Sequence, residues 1–133
     1  MAETNPALHL TLSDEPTSAV ELRAAVDRVA AASDAPDGTS FDVKVAATEA
    51  LANALKRSAG DGRGVDVRVE GHRDAIEVEV HDRGRFRLDH GTGSDVERGR
   101  GIPLMVALVD EVEFASSGEG TRVRIRKRVS RSQ

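Results

Sequence analysis

AATEALANALKRS, residues 46–58, is the stretch from which the fold of this chain can be worked out. Its Ala, Leu, Glu and Lys residues favour a helix, and no Gly or Pro interrupts it. Glu49 and Asn53 are four residues apart, so both side chains lie on one helix face. A carboxylate and a carboxamide among Ala and Leu are typical of a metal site with a proton-transfer centre. An exposed stripe or a satisfied buried pair is the more ordinary explanation, and this stretch alone leaves these alternatives open.

The length and composition predict one compact domain. The chain has 133 residues, of which 38% are hydrophobic and 32% charged, a balance that favours a globular fold over disorder. We expect a single domain over residues 1–133, with frayed ends at 1–6 and 130–133.

Several functional classes are disfavoured by composition. The chain has no Trp or Tyr and only three Phe, which argues against a base-stacking surface, and its net charge of −4 gives no general attraction to nucleic acid or membrane. It has no Cys, which excludes disulfides and thiolate sites. With no long apolar run and a polar N-terminus, we expect a cytoplasmic protein without a membrane partner.

The chain is predicted to form two helices between its first and second strands and a third helix between its third and fourth strands. A helix beginning near Pro16, capped by Ser13 or Asp14, should continue to Ala32. After a loop at 33–40, Thr39 or Ser40 should cap the central helix, expected at 41–59 and ended by Gly60. A shorter helix is expected at 102–109. Strands are expected at 7–12, 65–70, 75–82, 111–115 and 121–129, with turns at 60–64, 71–74 and 116–120.

Strand parity predicts which polar residues point inward. Asp82 shares parity with Ile76 and Val80 on the predicted strand 75–82, so its side chain should face the covered side of the sheet. Thr121 shares parity with Val123 and should also point inward. Alternatively, Asp82 is a turn former before Gly84 and Thr121 an ordinary β-branched strand residue. A buried Asp needs a partner, and a ligand with a donor group, such as the adenine amino group, would provide one.

A glycine-rich turn, Gly99-Arg100-Gly101, leads directly into the predicted helix at 102–109. Glycines allow close approach of phosphate, a helix N-terminus presents free N–H groups, and Arg98 or Arg100 would add charge-assisted contacts. An ordinary loop is the alternative. The arginine stripe of the last strand is interpreted as a solvated face that pairs with glutamates, with partner docking as the minority alternative. The four histidines, which do not share metal-ligand spacing, are interpreted as surface residues: His9, His72, His81 and His90.

Four motifs in order resemble those of the GHKL ATPase superfamily, which includes histidine kinases and gyrase. They are Glu49-x-x-x-Asn53, Asp82-x-Gly84, Gly99-x-Gly101 and Gly120-Thr121. The segments ATEALANA and GRGIPLM are most similar to the corresponding segments of the anti-sigma-factor serine/threonine kinases of bacteria. This resemblance implies a Bergerat-type α/β two-layer sandwich, in which helices cover one face of a mixed, mostly antiparallel sheet.

The resemblance also implies site residues for ATP and Mg²⁺. Asn53 would hold Mg²⁺, Glu49 would be the general base for a substrate hydroxyl, and Asp82, supported by Thr121, would accept a hydrogen bond from adenine. The remaining expected nucleotide contacts are Gly84, Arg57, Arg98, Gly99, Arg100, Gly101 and Ile102. Two departures stand out: Arg57 replaces a common His, and Arg85-Phe86 replace the second Gly after Gly84.

As partners, the resemblance implies a sigma factor, a STAS-type anti-sigma-factor antagonist that becomes phosphorylated, and a second copy in a homodimer. It implies no direct contact with nucleic acid. A partner-switching adaptor that regulates by sequestration, with weak or no catalysis, is the alternative that the altered Asp82–Phe86 segment supports. The ATPase domain of a histidine kinase or of a multidomain regulator is a third interpretation.

Overall fold

The structure is a computed structural model that describes residues 6–58, 64–83 and 105–129. Its elements are β1 (Ala7–Leu12), α1 (Pro16–Ala32), α2 (Asp37–Arg57), β2 (Val65–Gly71), β3 (Ala75–Asp82), β4 (Glu111–Ser117) and β5 (Gly120–Arg128). Residues 105–108 are also helical, in agreement with the predicted helix at 102–109, whose first residues lie outside the described part of the chain.

The five strands form one sheet in the order β1-β2-β3-β5-β4. Helices α1 and α2 pack on one face of it, α1 against β1 and β2, and α2 against β2, β3 and β5. The expected α/β sandwich is therefore confirmed. The four described strand pairings are all antiparallel, so the parallel component of the expected mixed sheet is not seen among the described strands.

The core lies between the helices and the sheet and is built from small aliphatic side chains. Alternate residues of β2 and β3, from Val65 to Val80, are fully buried, and Val43, Ala47 and Leu51 of α2 cover them. The opposite face of the sheet carries the charged residues. There Arg122 lies 3.6 Å from Glu79 and Arg124 lies 3.1 Å from Glu113, which confirms the predicted solvated arginine stripe.

Helix α1 begins at Pro16, as predicted, but the start of α2 and the predicted N-caps of both helices need correction. Helix α2 begins at Asp37 rather than near Phe41, because the Pro36 carbonyl accepts the first turn's N–H groups and acidic Asp37 suits the positive end of the helix dipole. Ser40 is not a cap; its hydroxyl donates to Asp27 of α1 at 2.8 Å. The N-cap of α1 is Glu15 rather than Ser13 or Asp14, and no side chain caps it.

Other predicted boundaries also differ, among them those of β2, which ends at Gly71, and of β5, which spans Gly120–Arg128. Helix α2 ends at Arg57, and the Ser58 hydroxyl donates to the Ala54 carbonyl at 3.0 Å. Strand β4 extends to Ser117 because the pairing of Ser117 with Gly120 leaves only a two-residue turn, where a longer turn at 116–120 was expected. Strands β1 and β3 have the predicted bounds.

Candidate functional site

The candidate site is centred on the end of β3, where Asp82 is opposite Thr121 of β5 in the antiparallel register. The accessible fraction of Asp82 is 0% and that of Thr121 is 2%. Both side chains lie on the helix-covered face, as strand parity predicts. A carboxylate and a hydroxyl are thus buried side by side in an otherwise aliphatic core.

Arg57, from the last turn of α2, forms an ion pair with Asp82. Its Nε donates a 2.9 Å hydrogen bond to Asp82 Oδ2. Its Nη2 also lies 2.9 Å from that oxygen, although the angle is not that of a hydrogen bond. The Arg57 side chain is only 8% exposed, so the pair is nearly sealed from water. Arg57 was expected to contact the nucleotide; in the structure it contacts the Asp82 carboxylate.

Glu49 and Asn53 lie on the same side of α2 as Arg57, because the three residues follow one another at intervals of four. Both side chains are half-buried, and neither forms a hydrogen bond or ion pair with another residue in the described part of the chain. Among the described residues the Asn53 amide oxygen is thus uncommitted, and it is the hard ligand type that Mg²⁺ prefers. Asn53 fits a metal ligand on this criterion.

The Thr121 hydroxyl has no hydrogen-bond partner among the described residues, although its oxygen is inaccessible to solvent. A buried hydroxyl without a partner is costly, and native proteins satisfy such groups with another residue, water or a ligand. Its position opposite Asp82 makes it available to a polar group that approaches the carboxylate. This orphaned hydroxyl is the observation that most directly indicates a ligand at this end of the sheet.

Gly120 makes the pairing of Asp82 with Thr121 possible. Its φ of +132° is a conformation that L side chains rarely adopt, and a Cβ there would lie 2.0 Å from the Asp82 carbonyl oxygen. Any larger residue would push the start of β5 away from the end of β3. The sequence analysis quoted Gly120 only as part of a motif, whereas the structure gives a steric reason for it.

Six residues predicted to contact nucleotide lie outside the described residues. Their placement in the site stays a prediction. They are Gly84, Arg98, Gly99, Arg100, Gly101 and Ile102.

A second polar cluster lies on the opposite, charged face of the sheet. His72 Nε2 lies 3.3 Å from Glu70 Oε1 and 3.7 Å from Glu77 Oε1. Such a triad has the residue types of a metal site, which the histidine spacing alone did not indicate. However, guanidinium groups already pair with the second oxygens, Arg68 with Glu70 and Arg126 with Glu77. We therefore interpret it as a network of surface ion pairs.

None of the helices in residues 6–58, 64–83 and 105–129 has the length and apolar character needed to cross a lipid bilayer.

Similar folds occur in two solved structures with low sequence identity. The first contains the RsbU and RsbW domains of Rv1364c from Mycobacterium tuberculosis, with 23% identity and a TM-score of 0.74 over 96% of this chain and 33% of that chain. The second is the histidine kinase domain of the blue-light activated histidine kinase from Erythrobacter litoralis EL346, with 22% identity and a TM-score of 0.54 over 81% of this chain and 61% of that one. The chain thus spans about a third and three fifths of these two proteins' solved chains.

No curated protein sequence matches the chain significantly. The profile of one protein family, however, matches residues 12–127, which include both long helices, the strands β2, β3 and β4, and all of β5 except its last residue. The family is described as the histidine kinase-like ATPase domain, and membership in an ATPase family implies that the domain binds ATP. The matched region contains Glu49, Asn53, Asp82 and Thr121. This chain belongs to the histidine kinase-like ATPase domain family.

Proposed function

We propose that this protein is an ATP- and Mg²⁺-dependent serine/threonine protein kinase that acts as an anti-sigma factor. It would phosphorylate a STAS-type antagonist protein and sequester a sigma factor. The observation that carries the proposal is the buried Asp82 carboxylate beside the unsatisfied Thr121 hydroxyl, joined through Arg57 to the helix face of Glu49 and Asn53. These few polar groups lie among aliphatic side chains, which is the composition typical of a small-molecule site.

The proposed chemistry assigns one role to each described residue. Asp82 accepts a hydrogen bond from the adenine amino group, and Thr121 contributes its hydroxyl to the same end of the nucleotide. Glu49 accepts the proton of the substrate Ser or Thr hydroxyl. As that oxygen forms a bond to the γ-phosphorus, the bond to the bridging β–γ oxygen breaks and ADP leaves. Mg²⁺, held by Asn53, would supply positive charge for the phosphate oxygens.

The phosphate-binding part of the proposal depends on residues predicted from the sequence resemblance. Gly99 and Gly101 would let the backbone approach the phosphates, and Arg98 and Arg100 would neutralise them. Gly84 and Ile102 would complete the nucleotide contacts.

The proposed partners also depend on the resemblance to anti-sigma-factor kinases. They are a sigma factor, a STAS-domain antagonist and a second copy of the chain in a homodimer, all in the cytoplasm. The similarity in fold to a chain that contains an RsbW domain is consistent with this assignment.

Transfer of label from γ-³²P-ATP to purified candidate STAS-domain proteins, in the presence of Mg²⁺, tests the proposal. We expect labelled Ser or Thr on one of them. Glu49→Gln should abolish transfer and retain ATP binding, because it removes the base without changing side-chain size. Glu21→Gln, an exposed glutamate of α1, is the matched control and should transfer normally. Normal transfer by Glu49→Gln would exclude Glu49 as the base.

The second candidate is an adaptor that regulates by sequestration with little or no catalysis. The Arg57–Asp82 pair favours it, because Arg57 engages the carboxylate proposed to bind adenine. An adaptor would bind its sigma factor in pull-down experiments with ATP removed, and no candidate substrate would become labelled.

A further inference from the structure

An open, largely apolar groove runs along the outer surface of α2, beginning at Glu49. It has a volume of about 430 Å³. The residues that line it come from α1 and α2: Arg23, Phe41, Lys44, Val45, Thr48 and Glu49. The groove therefore adjoins the proposed catalytic base, and it is on a different side of the molecule from the charged face of the sheet.

The residues of this side of α2 are arranged in a functional order. Phe41, Val45, Glu49, Asn53 and Arg57 follow one another at intervals of four, so they form a stripe in which each side chain neighbours the next and which turns about the helix axis by roughly 40° a step. Arg57, at one end, contacts Asp82, the proposed adenine ligand. Asn53 and Glu49 come next, and the groove begins where these polar residues stop.

This order determines the side from which a phosphate acceptor can approach. In-line transfer needs the attacking oxygen on the side of the γ-phosphate opposite the leaving ADP. If adenine lies at the Arg57 end of the stripe, the acceptor hydroxyl reaches Glu49 from the end that carries Val45 and Phe41. The polypeptide that carries this hydroxyl must then pass over the groove.

The side chains of the groove indicate the chemistry of that polypeptide. Phe41 is 61% exposed and lines the groove together with Val45, so an apolar surface is open to a partner at this position. Arg23 is exposed and has no ion-pair partner in the described part of the chain. Lys44, in contrast, is paired with Asp27 at 3.0 Å. An apolar side chain would fit on Phe41 and Val45, with a carboxylate near Arg23.

The distance from Phe41 to Glu49 along the stripe sets how many substrate residues separate the apolar contact from the phosphorylated hydroxyl. Eight residues separate Phe41 from Glu49, and a rise of 1.5 Å per residue places them about 12 Å apart. An extended chain that advances about 3.3 Å per residue covers this distance in about four residues.

We infer that this groove docks the acceptor segment of the protein substrate, through an apolar residue about four positions from the phosphorylated Ser or Thr and an acidic residue beside it. The inference depends on the proposed kinase function, and it adds the substrate feature that the enzyme recognises.

The test uses the purified STAS-domain protein that accepts label in the experiment above. Phe41→Ser should raise the KM for this protein by about tenfold or more, because a buried aromatic contact commonly contributes that much to an interface. The KM for ATP should stay at the wild-type value. Phe114→Ser is the matched control, since Phe114 is also exposed, at 47%, but lies on β4. It should leave both KM values unchanged.

Photo-crosslinking identifies directly which substrate residues lie in the groove. Benzoylphenylalanine at position 41 should crosslink to the same substrate within about four residues of its phosphorylated hydroxyl, as mapped by mass spectrometry, and benzoylphenylalanine at position 114 should not. Arg23→Glu should weaken transfer, and reversal of the nearby acidic residue of the substrate to Lys should restore it.

Failure of the kinase proposal and failure of the docking site would give different experimental results. If wild-type protein labels no candidate, the kinase proposal fails and this inference fails with it. If wild-type protein transfers label but Phe41→Ser has a normal KM for the substrate, the docking site alone is wrong. Crosslinks from position 41 to a second copy of the chain, or to a remote surface of the substrate, would also overturn it.

Discussion

Arg57 and Asp82 are the two residues whose pairing most affects the interpretation of the site. Each is a charged group taken almost completely out of water, and each offsets the desolvation of the other. In a nucleotide-binding domain this pair would have a second effect. If Asp82 binds adenine as proposed, adenine must share the carboxylate with Arg57 or displace it, and the pair would link the end of α2 to nucleotide binding.

Replacing either member of this pair should lower the free energy of unfolding substantially. Replacing both should lower it by less than the sum of the two single effects. Arg57→Met is expected to lower the free energy of unfolding by about 3 kcal/mol, since it leaves a buried carboxylate without its cation. The double variant Arg57→Met/Asp82→Asn should be more stable than the two single effects predict. Urea unfolding of the wild type, both single variants and the double variant measures this coupling. Strictly additive effects would show that the pair contributes no coupling energy.

At the level of elements, two contacts hold the site in shape. The β4–β5 turn brings Gly120 against the end of β3, and Asp27 joins α1 to α2 by accepting hydrogen bonds from Ser40 and Lys44. The first contact aligns Thr121 with Asp82. The second fixes the orientation of the helix that carries Glu49 and Asn53.

Gly120→Ala should destabilise the fold by at least about 2 kcal/mol, because a Cβ would clash with the Asp82 carbonyl and the backbone would be strained. Gly118→Ala, in the same turn, meets nothing within 4 Å and is the matched control. Thermal unfolding of both variants tests the prediction. Equal melting temperatures would mean that the approach of the two strands is not tight in solution.

The Asp27 contact should contribute stability only above acidic pH. Its pKa lies below the ordinary value of 3.8, chiefly because of the hydrogen bond from Lys44 and then that from Ser40. A lowered folded pKa means that the contribution is complete above about pH 5 and is lost as the carboxylate is protonated at lower pH. Because the side chain is 55% exposed, solvent screening limits the effect to under about 1 kcal/mol.

Unfolding of Asp27→Asn and wild type between pH 2 and pH 7 measures this contribution. We expect the stability difference near neutral pH to disappear toward pH 2. A difference that is the same at both ends of the range would contradict the assignment.

At the scale of the whole molecule, the sheet separates two environments. Its outer face carries a row of arginine–glutamate ion pairs. Its inner face contributes a small polar site to an otherwise aliphatic core. Ligand binding at such a site involves groups from α2, β3 and β5 together. Nucleotide should therefore stabilise the fold as a whole.

ATP with Mg²⁺ at a hundred times its Kd should stabilise the native state by about 2.7 kcal/mol, which corresponds to a rise in Tm of about 10 °C for a chain of this size. Asn53→Ala should show a smaller rise, equal to that of the wild type with ATP and EDTA. Differential scanning fluorimetry is sufficient for this comparison. A full Mg²⁺-dependent shift in Asn53→Ala would exclude Asn53 as the metal ligand.

Local patterns were enough to predict much of this molecule. The bounds of β1 and β3 and the inward direction of Asp82 and Thr121 follow from the alternation of side chains along a strand, which needs no information about distant residues. The helical stripe of Glu49 and Asn53 follows from spacing in the same way. Helix ends were less predictable, because Ser40 bonds to Asp27 of another helix instead of capping its own.

The contact of Arg57 with Asp82 and the approach of Gly120 to the Asp82 backbone depend on tertiary structure. The first joins residues 25 positions apart in sequence, and the second brings the start of β5 to the end of β3. No periodicity in the chain encodes such distances, since they arise from how α2 packs on the sheet and how β5 pairs with β3. The chain's patterning thus specified which faces are buried, while packing between elements selected the partners of the polar groups on those faces.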